Sequence, residues 1–326
     1  MKPGRFAVVA IGRNEGERLR SCLESAVDQA AQVVYVDSGS TDGSVELARK
    51  LGASVVALDM NRPFTAARAR NEGFQRLCEL ARELDYVQFV DGDCAIVAGW
   101  PGKAVDYLDL HRDVAVVCGR RRERYPERSI YNMLCDIEWD STIGEAKACG
   151  GDALMRIDAF EAMKGYRADL IAGEEPELCV RLRAAGWRIW RLDEEMTMHD
   201  AAMTRFGQWW RRTVRCGHAY AQGVDLHGAP PERHFVRESR SAWFWGLVIP
   251  LAVGGLVLFW WSWALVLLLI YPLQIIRLAL RGERTTRGNW ERAGFLVLAK
   301  FPEMLGQIKF LFHRHLGGQS RLIEYK

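Results

Sequence analysis

The chain has 326 residues, 49% of them hydrophobic and 26% charged, with a formal net charge of +3. That length exceeds what one core supports, since single cores stop growing near roughly 250–300 residues, so a large domain with an appendage is expected. So mild a charge excludes the strongly basic face of a nucleic-acid binder. The eight cysteines stand singly, with no CxxC pair; this excludes zinc or redox work by such a pair and predicts a reducing compartment. Met1-Lys2-Pro3-Gly4-Arg5 runs directly into a strand-like segment without an apolar signal core, which predicts a domain that stays on the cytosolic side.

Phe6 to Ile11 is a short apolar, β-branched run and reads as a strand. Asn14 is the expected N-cap of a following helix that carries Leu19, Cys22, Leu23, Ala26, Val27 and Ala30. Val33 to Val36 is the next strand and ends in Asp37, before the turn Ser38-Gly39-Ser40-Thr41-Asp42-Gly43, with Asp42 as a helix cap. A helix with Val45, Ala48 and Leu51 follows, then strands at Ala53 to Leu58 and Tyr86 to Val90. Strands alternating with helices in units of about 30 residues predict a parallel α/β sheet of nucleotide-binding type, with ligands at the strand C-termini.

From Ser241 to Ile276 no side chain is charged. The run is too long for one membrane crossing and suits two short ones, so a hairpin is predicted. The aromatic cluster Phe259-Trp260-Trp261-Ser262-Trp263 fits the far interface. Arg233, Arg237 and Arg240 before the run, and Arg277, Arg281, Arg284 and Arg287 after it, place both ends in the cytosol. Beyond Arg292, apolar residues recur at helical spacing from Phe295 to Leu311, with Pro302 expected to kink or restart the helix. This stretch reads equally as an interfacial helix and as a helix packed on the catalytic domain.

Asp91-Gly92-Asp93 follows the apolar strand and therefore lies at a strand C-terminus. Two carboxylates on such a turn can hold Mg²⁺ or Mn²⁺, hard cations that bridge diphosphate oxygens; without further pattern the triplet is an ordinary solvated turn. Asp37 can accept hydrogen bonds from a base or ribose, or serve only its own turn.

Together these segments resemble glycosyltransferase family 2. Arg13-Asn14-Glu15, Val36-Asp37-Ser38-Gly39-Ser40-Thr41-Asp42-Gly43-Ser44, Ala69-Arg70-Asn71-Glu72-Gly73 and Asp91-Gly92-Asp93 occur in the family's order. The resemblance implies a GT-A nucleotide-diphospho-sugar transferase fold in which Asn14, Glu15, Asp37, Arg70 and Asp91 serve the nucleotide-sugar donor. It further implies that Asp93 binds the metal with Asp91, and that His199 completes the metal or diphosphate site. Gly173-Glu174-Glu175-Pro176-Glu177-Leu178 is similar to the family segment that supplies the catalytic base at a helix start, which points to Glu175, with Glu174 as the alternative. An acidic helix start also serves the helix dipole alone. Ala148-Cys149-Gly150-Gly151-Asp152-Ala153 resembles the family's acceptor-side loop, and Gln208-Trp209-Trp210-Arg211-Arg212 resembles its Gln-x-x-Arg-Trp motif but ends in Arg. Arg211 or Arg212 is expected to grip the donor diphosphate, or to form a basic patch beside the membrane.

The C-terminal half is most similar to bacterial exopolysaccharide members of succinoglycan type. The expectation is a GT-A domain over residues 1–235, a transmembrane hairpin over 236–282 and a cytosolic interfacial tail over 283–326. The expected reaction is inverting transfer at the inner membrane from a nucleotide sugar to a lipid-linked glycan, the polyprenyl-diphosphate oligosaccharide. Alternatives are a polyprenyl-phosphate glycosyltransferase and a non-catalytic sugar-nucleotide-binding scaffold.

Overall fold

The structure is a computed structural model that describes residues 5–81, 83–259, 262–282 and 286–316. The chain divides into two compact units, Met1–Ala202 and Met203–Lys326.

The first unit is built on β1 (Phe6–Gly12), β2 (Val33–Asp37), β3 (Ser54–Ala57), β4 (Tyr86–Asp91), β5 (Cys94–Ile96), β6 (Val114–Glu123), β7 (Gly144–Glu145), β8 (Ala153–Arg156) and β9 (Arg188–His199). Among the described residues they form one sheet in the order β3-β2-β1-β4-β8-β6-β9-β5, with β7 paired to β9. The first four strands pair in parallel. Val8, Val9, Val34 and Val36 are fully buried, as in strands covered on both faces.

Beyond these four strands the sheet is mixed: β8 runs antiparallel to β4 and β6, and β5 antiparallel to β9, while β6 and β9 run parallel. Only Gly92 and Asp93 separate β4 from β5, and a parallel neighbour needs a crossover of a dozen or more residues. The βαβ rhythm therefore ends at the Asp91-Gly92-Asp93 turn.

Two cap assignments also change. The helix after β1 is Glu17–Val27 with Gly16 at its N-cap, and Asn14 sits before it with φ 55°. The Asn14 Oδ1 accepts from the Thr41 N–H at 2.8 Å, while its own N–H donates to Ser40 Oγ at 2.9 Å. Asn14 thus joins the loops after β1 and β2. Asp42 lies one residue before the N-cap Gly43 of helix Ser44–Lys50. It accepts from the Ser44 N–H at 3.1 Å and the Gly16 N–H at 3.0 Å.

Helix Ala66–Leu80 crosses β1 and β2 at Gly73. A Cβ there would lie 2.5 Å from Val9 Cγ1 and 2.7 Å from Val36 Cγ2. The glycine of Asn71-Glu72-Gly73 is therefore a packing requirement that delivers Arg70 to the strand ends.

The second unit is helical. Val236–Leu258 and Trp263–Leu280 are long and apolar enough to cross a membrane. Only 17% and 11% of their most apolar windows are buried, against the buried helical pair of a soluble core. The Tyr271 hydroxyl donates to the Trp245 carbonyl at 2.6 Å and pairs them as a hairpin. Trp260, Trp261, Arg284 and the tail beyond Leu316 lie outside the described residues.

Helix Thr286–Leu298 gives way to helix Lys300–Leu316, with Pro302 in the first turn of the second. The helix restarts, as proline there requires. Lys300–Leu316 packs on helix Phe206–His227, where a Cβ on Gly306 would lie 2.0 Å from the Val214 carbonyl oxygen. The polar pair Gln307 and Ser239 is buried beside it with a 2.6 Å hydrogen bond.

His218, on helix Phe206–His227, is fully buried. Burial, and then the nearby His313, Arg215 and Lys309, push its pKa from 6.5 down to about 4. The fold holds the neutral ring, so the unfolded chain binds the proton more readily. This contribution is complete above pH 6.5 and is lost as pH falls from 6.5 through about 4. We predict a loss of roughly 3 kcal/mol across that window, since each tenfold difference in proton affinity between the folded and unfolded chain is worth about 1.36 kcal/mol. His218→Leu should flatten the pH dependence of thermal unfolding there, and an unchanged slope would refute the assignment.

Candidate active site

Strand register assembles the first part of the site. Glu123, the last residue of β6, pairs with His199, the last of β9, and His199 pairs with Cys94 at the start of β5. That line sets Glu123, His199 and Asp93 side by side at the edge of the Asp91-Gly92-Asp93 turn. His199 Nδ1 lies 3.1 Å from Glu123 Oε2, and its Nε2 lies 3.4 Å from Asp93 Oδ2. Glu123 is immobilised by the Ala201 N–H at 3.1 Å, the Tyr125 N–H at 3.2 Å and the Asn132 amide at 3.3 Å.

All three side chains are buried. When the Nδ1–H donates to Glu123, Nε2 faces a carboxylate oxygen of Asp93, an arrangement that a proton on Nε2 or a bound cation would satisfy. Ligand atoms of Asp93, Cys94 and His199 lie within 4.8 Å of one another. The Asp93 carboxylate suits Mn²⁺ or Mg²⁺, and the His199 nitrogen favours Mn²⁺ of the two, so the residues present fit such an ion.

Asp91 is turned to different work. Its carboxylate accepts from Arg70 Nη2 at 2.7 Å and Arg121 Nη2 at 3.3 Å, and its N–H donates to Asp152 Oδ1 at 3.0 Å. Arg70 Nη1 reaches Glu174 Oε1 at 2.7 Å. Burial works against the Arg70 charge, but Asp91 and Glu174 outweigh it and hold the guanidinium pKa above its ordinary value. Arg121 lies over the Trp139 ring at 4.7 Å, with Nε 3.5 Å from the fully buried Asp152 carboxylate. Glu174, Arg70, Asp91, Arg121 and Asp152 thus alternate in sign through one buried network. Breaking one member of such a network strands the charges of the others.

Glu175 faces elsewhere. Its Oε1 accepts from the Cys149 N–H at 2.6 Å, with the Cys149 and Cys179 sulfurs 3.1 and 3.2 Å away. Burial pushes both thiols up, so they remain protonated and donate to the carboxylate. Oε2 makes none of these bonds. Both glutamates open helix Glu174–Ala184 after Gly173, where the positive end of the helix dipole favours carboxylates.

Asp37 holds its own turn, accepting from the Gly39 and Ser40 N–H groups at 3.0 and 2.9 Å and from the Tyr35 hydroxyl at 3.1 Å. Glu15 pairs with Arg18 at 2.7 Å, and Arg18 donates to the Asp200 carbonyl at 3.2 Å. These contacts tie the loop after β1 to the end of β9. Arg211 and Arg212 belong to the second unit, on helix Phe206–His227.

The motifs of the sequence do not point to Arg121 or Glu123, and they mark Asp152 only as a loop residue. The available signal is Arg120-Arg121-Arg122-Glu123 closing a strand that opens as Val114-Ala115-Val116-Val117. Charge at the end of an apolar strand demands partners.

A profile of glycosyl transferase family 2 matches residues 8–166. An uncharacterised glycosyltransferase of Mycobacterium tuberculosis (strain ATCC 25618 / H37Rv) is 30% identical over 185 residues, 55% of this chain and 79% of that protein. The chain belongs to glycosyl transferase family 2. The succinoglycan biosynthesis protein ExoA of Rhizobium meliloti (strain 1021) is 28% identical over 197 residues, 56% of this chain and 58% of ExoA, so the match spans little more than half of that relative. Among solved structures, the mannosyltransferase PcManGT from Pyrobaculum calidifontis, in complex with GDP-Man and Mn²⁺, has a TM-score of 0.64 at 18% identity, covering 95% of this chain and 88% of that one. Residues 1–349 of TarS from S. aureus give 0.53 at 15% identity, covering 95% and 91%. At these identities the likeness shows the GT-A fold. The family match ends before Glu174, Glu175, His199, Arg211 and Arg212, for which geometry is the guide.

Proposed function

We propose that this family 2 chain is an inverting, metal-dependent hexosyltransferase of exopolysaccharide or cell-surface glycan synthesis. It moves a sugar from a nucleotide sugar to a polyprenyl-diphosphate-linked oligosaccharide at the inner membrane, with its catalytic unit cytosolic. The observation that carries this reading is the pairing of a fitted cation site, Asp93 and His199 backed by Glu123, with the Glu174–Arg70–Asp91 network. The kinship with a succinoglycan biosynthesis protein and the two membrane-length helices support the acceptor and location.

Asp93 and His199 would hold Mn²⁺ or Mg²⁺, with Asp91 alongside; a cation bound there would supply charge neutralisation to the leaving nucleotide diphosphate. Asn14, Glu15 and Asp37 shape the nucleoside end, while Arg70 keeps Asp91 oriented toward the donor sugar. Glu175 takes the acceptor hydroxyl proton on Oε2 as the hydroxyl oxygen attacks the anomeric carbon and the bond from that carbon to the nucleotide diphosphate breaks, while Oε1 stays fixed by Cys149 and Cys179. Glu174, occupied by Arg70, is the alternative base.

The test is nucleotide release from a panel of sugar nucleotides, in membranes with Mn²⁺ or Mg²⁺ and extracted lipid acceptors. Release that requires both the ion and the lipid fraction is expected. Donor binding without release in any preparation would replace the transferase with a sugar-nucleotide-binding scaffold.

Glu123 contacts His199 and would act on a bound cation through it. Glu123→Gln should weaken Mn²⁺ binding by about 10- to 100-fold, the usual loss for an outer-shell partner. Titration followed by electron paramagnetic resonance of free Mn²⁺ checks this without reference to activity. An unchanged affinity would show that Glu123 does not orient His199.

A further inference from the structure

The second unit contains an open cavity of about 510 Å³ lined by Arg233, Arg237, Arg240, Phe244 and Trp245 among others. Arg237, Arg240 and Phe244 are spaced as one face of the helix that opens at Val236, and Arg233 lies on the turn just before it. The three arginines are exposed, and among the described residues none has a carboxylate within ion-pairing distance. Phe244 is 48% exposed. The cavity lies over the first turns of the membrane-length helix Val236–Leu258. At Phe244–Val248 that helix makes a π turn, a local irregularity frequent at functional sites.

Arginines that merely orient a hairpin need only lie near its cytosolic ends, as Arg277 in the last turn of the second span and Arg281 just beyond it do. Convergence of three guanidinium groups on one cavity is a stronger requirement. It sums positive charge where planar forks can take phosphate oxygens bidentately. The aromatic rings beside them offer an apolar wall at the level where a lipid chain begins.

The geometry points to a binding site for the phosphate or diphosphate headgroup of a membrane lipid, the lipid end of the acceptor. This rests on the proposed lipid-linked acceptor and adds the residues that would recognise it. The occupant is a lipid because the cavity joins three exposed cations to the flank of an exposed, membrane-length apolar helix.

The experiment uses the full chain in nanodiscs of neutral-headgroup lipid, titrated with farnesyl diphosphate and, separately, with inorganic diphosphate. Wild type is compared with the Arg237→Gln/Arg240→Gln double variant and with Arg237→Lys/Arg240→Lys. Farnesyl diphosphate affinity should fall at least about tenfold in the Gln variant, a modest value for charge-assisted contacts at an exposed site. The Lys variant should lie between, keeping charge and losing the fork. Inorganic diphosphate should bind much more weakly than farnesyl diphosphate.

Equal affinities of wild type and Gln variant would overturn the proposal and leave the arginines as topology determinants. Equal binding of the two ligands to wild type would overturn the lipid source in favour of a soluble phosphate. Donor binding in the presence of Mn²⁺, measured on the same samples, separates the two readings. Its absence with farnesyl diphosphate binding intact would defeat the transferase and not the lipid site.

Discussion

Glu175→Gln is expected to lower sugar transfer by about 10²- to 10⁴-fold, the range a positioned general base contributes, while donor affinity stays near wild type. The amide keeps the size of the side chain and can still accept from the Cys149 N–H, so the helix start and its loop should survive. What it lacks is the basicity to take the acceptor proton. Initial rates with saturating donor, beside donor binding on the same preparation, make the comparison. Glu174→Gln is the necessary companion, because Glu174 is bonded to Arg70 and its loss would disturb Asp91. If Glu175→Gln retained wild-type turnover, the base would lie elsewhere, or the acceptor would be a lipid phosphate that needs no deprotonation.

Asp93→Ala should remove most metal-dependent activity and carry Mn²⁺ affinity down with it, by more than the Glu123→Gln change. In the proposed site Asp93 supplies a ligand oxygen, and its loss would leave His199 with Glu123 as its remaining carboxylate partner. Turnover should fall by at least about 10³-fold, comparable to losing several kcal/mol of charge stabilisation on the leaving diphosphate. Calorimetric Mn²⁺ titration of wild type and variant decides it. Full activity of the variant in the presence of a chelator would sink the metal assignment.

The two arms of the site differ in how far they can be read from residues alone. Asp91 and Asp93 sit where an apolar strand meets a turn, so period and turn chemistry place them, whereas Arg70 is reached through the resemblance of Ala69-Arg70-Asn71-Glu72-Gly73 to the family's segment. Glu123 and Asp152 sit among charges whose purpose appears only after β6, β8 and β9 align, since their partners lie 76 and 61 residues away in the chain. Cys179 is one helical turn beyond Glu175 and is accessible to spacing arguments; Cys149 is not, because a loop 26 residues earlier carries it there. The cap expected at Asn14 fails for a related reason. Its side chain finds a tertiary partner in the Thr41 N–H, and the left-handed backbone at Asn14 ends its claim to the helix.

Composition and periodicity by themselves determined the alternating strand and helix layout of the N-terminal half, the acidic turn at a strand end and the charge-free double span. These are short-range consequences of burying apolar residues at periods of two and 3.6. Tertiary structure alone decided that the sheet turns mixed after β4, that Arg70 bridges Asp91 to Glu174, and that Glu123 backs His199. Hydrogen-bond and charge satisfaction in a buried site depends on strands brought together from distant parts of the chain, and no local pattern encodes which of them will be neighbours.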